Sequence, residues 1–316
     1  MGRLVRGRDS TMDRLTRIVV GTAALGSAAV ALGAVRWLGR HPQPRVGRFG
    51  NDVEYASWGS GTKTLLWLQG GPGSDVPRGL AGRLMGSQFR PFIADGYKVF
   101  SLTRRRHMPR GHSISDMADD VAHVIQEEFG TVDVVVGLSY GSLIAQYLAA
   151  NHADKVGKVI LALSGVRISE WGTDVDRRWT EARAAGRLDE AGAALLEYLI
   201  PQAGWAAVRR QLGRIVGPLS HSESTPADDL LVEVQAEVGF DSTDALARIH
   251  LPVLLIVAEE DPFFPADISA ETERLIAGCT VVRYPDKGHV GAALSGRIPS
   301  DVLAWLKVNV AADTRF

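Results

Sequence analysis

Cysteine is nearly absent from this 316-residue sequence, and so is net charge. The single cysteine, Cys279, excludes an internal disulfide and also excludes zinc sites built on several thiolates. The 35 basic and 36 acidic residues leave a formal net charge of -1, so no overall positive field directs the chain to nucleic acid. The apolar fraction of 46% and the charged fraction of 22% are those of an ordinary folded protein.

Charge is also missing from an 18-residue run near the N-terminus, Ile18–Val35, which Arg17 and Arg36 flank. A membrane-spanning helix needs roughly 20 apolar residues, and its basic end stays in the cytoplasm. We therefore expect residues 1–44 to hold a basic segment, a signal anchor and a linker, with the following domain outside the cytoplasm. Two alternatives stay open, a signal peptide cleaved from a secreted protein and a helix packed on a cytoplasmic domain.

Short apolar runs alternate with helical patterns over the rest of the chain. Most runs are continuously aliphatic or β-branched, as in strands buried on both faces, and such alternation predicts an α/β fold with a mostly parallel sheet between helices. Val46–Trp58 predicts two leading antiparallel strands. The other predicted strands are Thr64–Leu68, Lys98–Leu102, Val132–Leu138, Val156–Leu163, Val253–Ala258 and Thr280–Tyr284. The predicted helices of this part are Ser115–Glu128, Ser142–Asn151, Asp267–Ile276 and Ile298–Val310.

The alternation stops between residues 169 and 246, where only helical patterns are found. We expect a helical lid there, inserted into a core formed by residues 45–168 and 247–316. Three tryptophans of this stretch, Trp171, Trp179 and Trp205, either pack the lid onto the sheet or line an apolar pocket, and Trp171 and Trp179 are candidate substrate-binding residues. The predicted lid helices are Asp174–Ala185, Leu188–Leu199, Gly204–Val216 and Pro226–Val238.

A Gly-x-Ser-x-Gly motif stands between a predicted buried strand and a predicted helix. Ser139 lies at its centre, flanked by Gly137 and Gly141. A serine on a sharp strand-to-helix turn needs neighbours without side chains, and the turn presents the hydroxyl near a helix N-terminus that favours developing negative charge. We therefore interpret Ser139 as a nucleophile.

A serine hydroxyl needs a base, and the base needs a carboxylate that fixes its tautomer. His289 follows the last predicted strand and is the best-placed histidine of eight. Asp261 follows the preceding strand in a loop stiffened by prolines and is the expected acid. Three other carboxylates remain possible in that role, Glu259, Glu260 and Glu170.

Acyl transfer also needs hydrogen-bond donors for the tetrahedral oxyanion. The segment Gln69-Gly70-Gly71-Pro72-Gly73-Ser74 follows a predicted strand and suits such a loop, although the same glycines would also serve a tight turn. We expect the backbone N–H groups of Gly71 and Tyr140 to be the donors.

The order of these motifs resembles the α/β-hydrolase superfamily, in its branch with proline iminopeptidases and related esterases. The resemblance covers residues 46–312 and implies an eight-stranded sheet, a lid after the sixth strand, no cofactor and hydrolysis through an acyl-enzyme. Two positions depart from the family pattern. Gln69 replaces a histidine, and residues 103–113 replace an acidic Asp-x-Arg-Gly-x-Gly-x-Ser segment.

The replaced segment is basic and follows a parallel strand, so it is expected on the same rim as the catalytic groups. Its arginines have no acidic neighbour in sequence before Asp116. We name Arg105 and Arg106 as candidate residues for attracting an anionic substrate, while a solvated surface or a loop facing an anionic membrane remains open.

The sequence thus predicts a serine hydrolase with no metal and a small-molecule acyl substrate, an ester or thioester. A peptidase or amidase remains open, as does perhydrolase or acyltransferase chemistry at the same residues. A catalytically silent, membrane-anchored ligand-binding protein on this fold is a further alternative, although such a protein does not need serine, histidine and aspartate together.

Overall fold

A computed structural model of the chain describes residues 43–220 and 225–313. Eight strands form one sheet in the order β1-β2-β4-β3-β5-β6-β7-β8. The pairs β1–β2 and β2–β4 are antiparallel, and all later neighbours are parallel, which confirms the predicted sheet. The strands are β1 (Arg45–Arg48), β2 (Val53–Trp58), β3 (Lys63–Leu68), β4 (Tyr97–Arg105), β5 (Val132–Leu138), β6 (Val156–Ala162), β7 (Val253–Ala258) and β8 (Thr280–Tyr284).

Helices cover both faces of the sheet. Four of them, α1, α2, α9 and α11, had no counterpart in the sequence-based prediction. Three glycines lower the helix propensity of α1, and the other three helices have only five residues each. The helices are α1 (Gly79–Gln88), α2 (Arg90–Ala94), α3 (Ile114–Glu128), α4 (Tyr140–Asn151), α5 (Glu170–Ala184), α6 (Leu188–Glu197), α7 (Ala206–Ser220), α8 (Ala227–Glu237), α9 (Thr243–Ala247), α10 (Ala266–Leu275), α11 (His289–Ala293) and α12 (Arg297–Asp313).

The core is divided by the sheet, because successive strand residues point to opposite faces. Leu66 and Val135 pack with α3, α4 and α10 on one face. Their neighbours Leu65 and Val134 pack with α12 and with Phe92 of α2 on the other. Burial on both faces explains why the strands read as continuous apolar runs.

Five α-helices of the described residues, α5 to α9, lie between β6 and β7, and α5 to α8 are close to the predicted ranges. Two of them, α6 and α7, approach closely at Gly192 and Gly213, where any added side chain would overlap the facing backbone. The predicted insertion ends at residue 246, within α9, which packs against α4 and α10 with Leu246 buried.

No helix in the ranges 43–220 and 225–313 is long and apolar enough to cross a membrane. The apolar run Ile18–Val35 lies outside the described residues, and its role as an anchor stays a prediction.

Candidate active site

Ser139 occupies the turn between β5 and α4 with a backbone conformation that non-glycine residues rarely adopt. Its φ is 51° and its ψ is -118°. A side chain at Gly137 would overlap the carbonyl of Gly141, and one at Gly141 would overlap the carbonyl of Leu68. The two glycines are therefore required for this turn, which holds the serine hydroxyl at the carboxyl edge of the sheet.

Ser139, His289 and Asp261 form one continuous chain of hydrogen bonds. His289 Nε2 lies 2.8 Å from Ser139 Oγ, and His289 Nδ1 lies 2.6 Å from Asp261 Oδ2. The Asp261 side chain is only 1% exposed. An ionised carboxylate accepts but does not donate, so Asp261 favours the tautomer with the proton on Nδ1 and leaves Nε2 free to accept the serine proton.

The other candidate acids do not reach His289. Glu259 and Glu260 are exposed on the same loop. Glu170 is exposed at the start of α5 and lines a different cavity, beside Arg167. Of the four carboxylates considered from the sequence, Asp261 alone has a hydrogen bond to this imidazole.

Ser139 and His289 open into a cavity of about 320 Å³. Its walls are mostly apolar, and Gln69, Asp176 and Tyr198 add polar groups. The apolar walls are Trp67, Met85, Leu138, Phe263 and Ala293. A cavity with apolar walls and few polar groups is typical of a site for a small organic ligand.

The tryptophans predicted to bind substrate do not line this cavity. Trp171 packs edge-on against Phe263, with ring centres 5.1 Å apart, so it supports the wall from behind. The guanidinium carbon of Arg183 lies over the Trp179 ring, 5.1 Å from the ring centre. The tryptophan that does line the cavity is Trp67 of β3. Its position two residues before Gln69, at the end of a strand that leads into the glycine-rich segment, could have identified it from the sequence.

Two further cavity residues, Asp176 and Tyr198, come from the helical insertion. The Tyr198 hydroxyl donates to Asp176 Oδ1. Burial raises the pKa of Asp176 to about 6, although this hydrogen bond opposes the shift. No local sequence motif marks either residue, because their approach to Ser139 depends on how α5 and α6 fold over the sheet.

The glycine-rich segment after β3 lies directly beside Ser139. Gly70 is so close that an added Cβ would stand 3.1 Å from Ser139 Cβ, and Gly71 lines the cavity with a φ of +70°. Tyr140 is the first residue of α4, and its hydroxyl donates to the backbone oxygen of Glu233 at 2.9 Å. Tyr140 thus follows Ser139 directly in the chain, and Gly71 lines the same cavity as Ser139.

Three arginines of the basic segment, which has no acidic residue of its own before Asp116, pair with acidic side chains from other parts of the chain. Arg106 Nε lies 3.1 Å from Glu54 Oε2, and its side chain is 4% exposed. Arg105 lies on the surface, 3.6 Å from Asp120. Neither side chain lines the cavity, so the structure does not support their assignment to substrate binding.

Arg104 is buried as well and binds Glu233 at 2.8 Å.

Within the described part of the chain, no group of three or more histidine, cysteine or acidic side chains could hold a metal ion.

Comparison with known proteins agrees with this fold. A family model described as "Alpha/beta hydrolase family" matches residues 65–296. The chain belongs to this family. It is a hydrolase with the eight-stranded sheet expected for it.

The relatives of the hydrolase differ in their activities. A pimeloyl-acyl-carrier protein methyl ester esterase of Chromobacterium violaceum is 30% identical over 186 residues, covering 54% of this chain and 68% of that protein. A bifunctional esterase/perhydrolase of Acinetobacter calcoaceticus is 25% identical over 284 residues, covering 82% and 97%. An enol-lactonase structure from Burkholderia xenovorans has a TM-score of 0.60 at 20% identity, covering 83% and 100%, which shows the shared fold.

Proposed function

We propose that the protein is a serine hydrolase that cleaves carboxylic esters or thioesters through an acyl-enzyme. The observation that carries the proposal is the hydrogen-bonded series Ser139 Oγ–His289 Nε2 and His289 Nδ1–Asp261 Oδ2, with lengths of 2.8 and 2.6 Å. It stands at a strained turn that opens into an apolar cavity.

The proposed reaction has two halves. Ser139 Oγ attacks the carbonyl carbon while His289 Nε2 takes the hydroxyl proton, and Asp261 stabilises the resulting imidazolium. The tetrahedral oxyanion accepts hydrogen bonds from the N–H groups of Gly71 and Tyr140. Collapse breaks the bond to the alcohol or thiol, which leaves with the proton from His289.

The second half reverses these roles with water. His289 takes a proton from water, the hydroxide attacks the acyl carbon, and the acid is released as Ser139 regains its proton. The atoms balance with water as the co-reactant, so no cofactor is required for this sequence of steps.

The cavity supports a small or medium acyl group. Its volume of about 320 Å³ and the rings of Trp67 and Phe263 suit an aliphatic or aromatic chain of modest length. The names of the esterase relatives agree with ester cleavage.

The test is a panel of p-nitrophenyl esters of increasing chain length, measured beside aminoacyl-naphthylamides. We expect ester cleavage that peaks at short to medium chains, and loss of that activity in Ser139→Ala. Cleavage of the naphthylamides alone would favour a peptidase or amidase. Ester cleavage that survives Ser139→Ala would overturn the proposal.

A further inference from the structure

Arg104 touches both segments that the proposed mechanism assigns to the oxyanion. Its Nη2 donates to the backbone oxygen of Gly71 at 2.6 Å, and its Nη1 donates to that of Gln69 at 3.1 Å. The same guanidinium stands 4.5 Å from the ring centre of Tyr140. Gly71 and Tyr140 are the two residues whose N–H groups would bind the oxyanion.

Glu233 holds this guanidinium from helix α8 of the insertion. Its Oε2 accepts from Arg104 Nη2 at 2.8 Å and also from the N–H of Gly73. Its backbone oxygen accepts from the Tyr140 hydroxyl. Burial alone would lower the pKa of Arg104, but the attraction of Glu233 outweighs it and the pKa is raised, so the arginine stays charged.

The two carbonyl contacts restrict the peptide between them. Because each peptide unit is planar, holding the oxygens of Gln69 and Gly71 fixes the peptide planes on both sides of the Gly70–Gly71 peptide. A Gly-Gly peptide is otherwise free to rotate, since neither residue has a Cβ. The N–H of Gly71 belongs to this middle peptide, so its direction depends on the two flanking contacts.

We propose that Arg104 and Glu233 are positioning residues for the oxyanion hole, acting through Gly71 and Tyr140 without touching the substrate. The inference rests on the proposed function. It also links the insertion to catalysis, because movement of α8 would displace Glu233 and release the loop.

A buried ion pair could instead serve stability alone, and the chain contains a matched control for that role. Arg209 is also buried, donates to the backbone oxygens of Ile200 and Gln202 at 2.8 and 2.9 Å, and pairs with Glu197 at 3.3 Å. It belongs to helix α7 and does not line the cavity at Ser139.

The experiment compares Arg104→Lys with Arg209→Lys. Lysine keeps the charge but cannot span two carbonyls and a carboxylate as the planar guanidinium does. For Arg104→Lys we expect kcat on a p-nitrophenyl ester to fall about 30- to 100-fold with KM changed less than about 3-fold, since the loss falls on the transition state. Affinity for a boronic acid transition-state analogue should fall by a similar factor. Arg209→Lys should keep kcat within about 2-fold of wild type.

A second variant covers the case in which Arg104→Lys does not fold, as checked by circular dichroism. Glu233→Gln keeps the shape but removes the charge that holds Arg104, and we expect a kcat loss of about 5- to 20-fold with little change in KM. Equal kcat in the Arg104, Glu233 and Arg209 variants, or a loss confined to KM, would overturn the inference.

Failure of the inference and failure of the proposed function are distinguishable. Activity that survives Ser139→Ala would remove the proposed function and the inference with it. Activity that needs Ser139 but is unaffected by Arg104→Lys and Glu233→Gln would remove the inference alone.

Discussion

Asp261 holds His289 with one carboxylate oxygen and its own loop with the other. Oδ2 lies 2.6 Å from His289 Nδ1, while Oδ1 accepts the N–H groups of Phe263 at 2.8 Å and Phe264 at 3.3 Å. The loop thus fixes the carboxylate, and the carboxylate fixes the imidazole. Both oxygens act as acceptors, a pattern that an amide cannot reproduce.

Asp261→Asn is therefore expected to inactivate the enzyme without unfolding it. The asparagine oxygen would accept from the backbone N–H groups, so its NH₂ group would face His289 Nδ1 and place the imidazole proton on Nε2. That tautomer cannot accept a proton from Ser139, and kcat should fall about 10³- to 10⁴-fold. Steady-state kinetics on an ester and thermal melting check the two parts.

Glu170→Gln is the control and should retain near-normal turnover. Near-normal turnover in Asp261→Asn together with loss in Glu170→Gln would place the acid after β6.

Sequence reasoning located the strands and the candidate site because both depend on local patterns. Three strands, β5, β7 and β8, were predicted with the bounds they have, since each is rich in β-branched or aliphatic residues and ends at a turn. Ser139, Asp261 and His289 each follow such a strand, and parallel strands bring these ends to one edge of the sheet.

The role of the arginines could not be predicted in the same way. Arg104 and Arg106 find their partners 129 and 52 residues away, at Glu233 and Glu54. Ion pairs between residues so far apart in sequence form only when the insertion packs on the core and β2 pairs with β4. A short stretch of sequence does not show this packing.

Arg105 and Arg106 lie outside the cavity, so the preference for an anionic substrate that the sequence suggested is no longer expected. Mono-p-nitrophenyl glutarate and p-nitrophenyl valerate have acyl chains of equal length, but only the glutarate carries a carboxylate. Asp176 is the acid in the cavity, so wild type should prefer the neutral ester. Arg105→Gln should change kcat/KM for both esters by less than about 2-fold, because Arg105 is exposed, does not line the cavity and has its charge screened by solvent. A selective loss on the glutarate would restore Arg105 to the substrate site.

The raised pKa of Asp176 makes a testable contribution to stability. Its pKa is about 6 in the folded protein against an ordinary 3.8, so the folded state binds this proton more tightly than the unfolded state. Stability is therefore lost as pH rises between these values, and the loss persists above pH 6.

Asp176→Asn removes that loss and keeps an acceptor for Tyr198. Relative to wild type, we expect its Tm to be higher by about 2–4 °C near pH 8 and the difference to shrink near pH 4. Burial and the nearby Asp176 charge also raise the pKa of Glu237, so thermal melts of both proteins across this range report the two carboxyl groups together. A Tm advantage that grows toward acid pH would contradict the assignment.

We propose that residues 18–35 anchor the chain in a membrane with the hydrolase domain outside the cytoplasm. The full-length protein should sediment with membranes, and a shortened chain that begins at Pro44 should remain soluble and active. Leu25→Arg places a charge in the middle of the run, at a cost of about 2.5–3.5 kcal/mol for insertion, and should weaken the association. Full-length protein that stays in the soluble fraction with its N-terminus intact would contradict this proposal.

The most direct measurement of the central claim is covalent labelling of Ser139. A fluorophosphonate probe forms a stable bond to an activated serine oxygen and needs the base as well as the nucleophile. Intact-mass analysis should show one probe on wild type and none on Ser139→Ala, and peptide mapping should place the adduct on Ser139. His289→Ala should fold normally and remain unlabelled. Equal labelling of wild type and Ser139→Ala, or an adduct on another residue, would contradict the account.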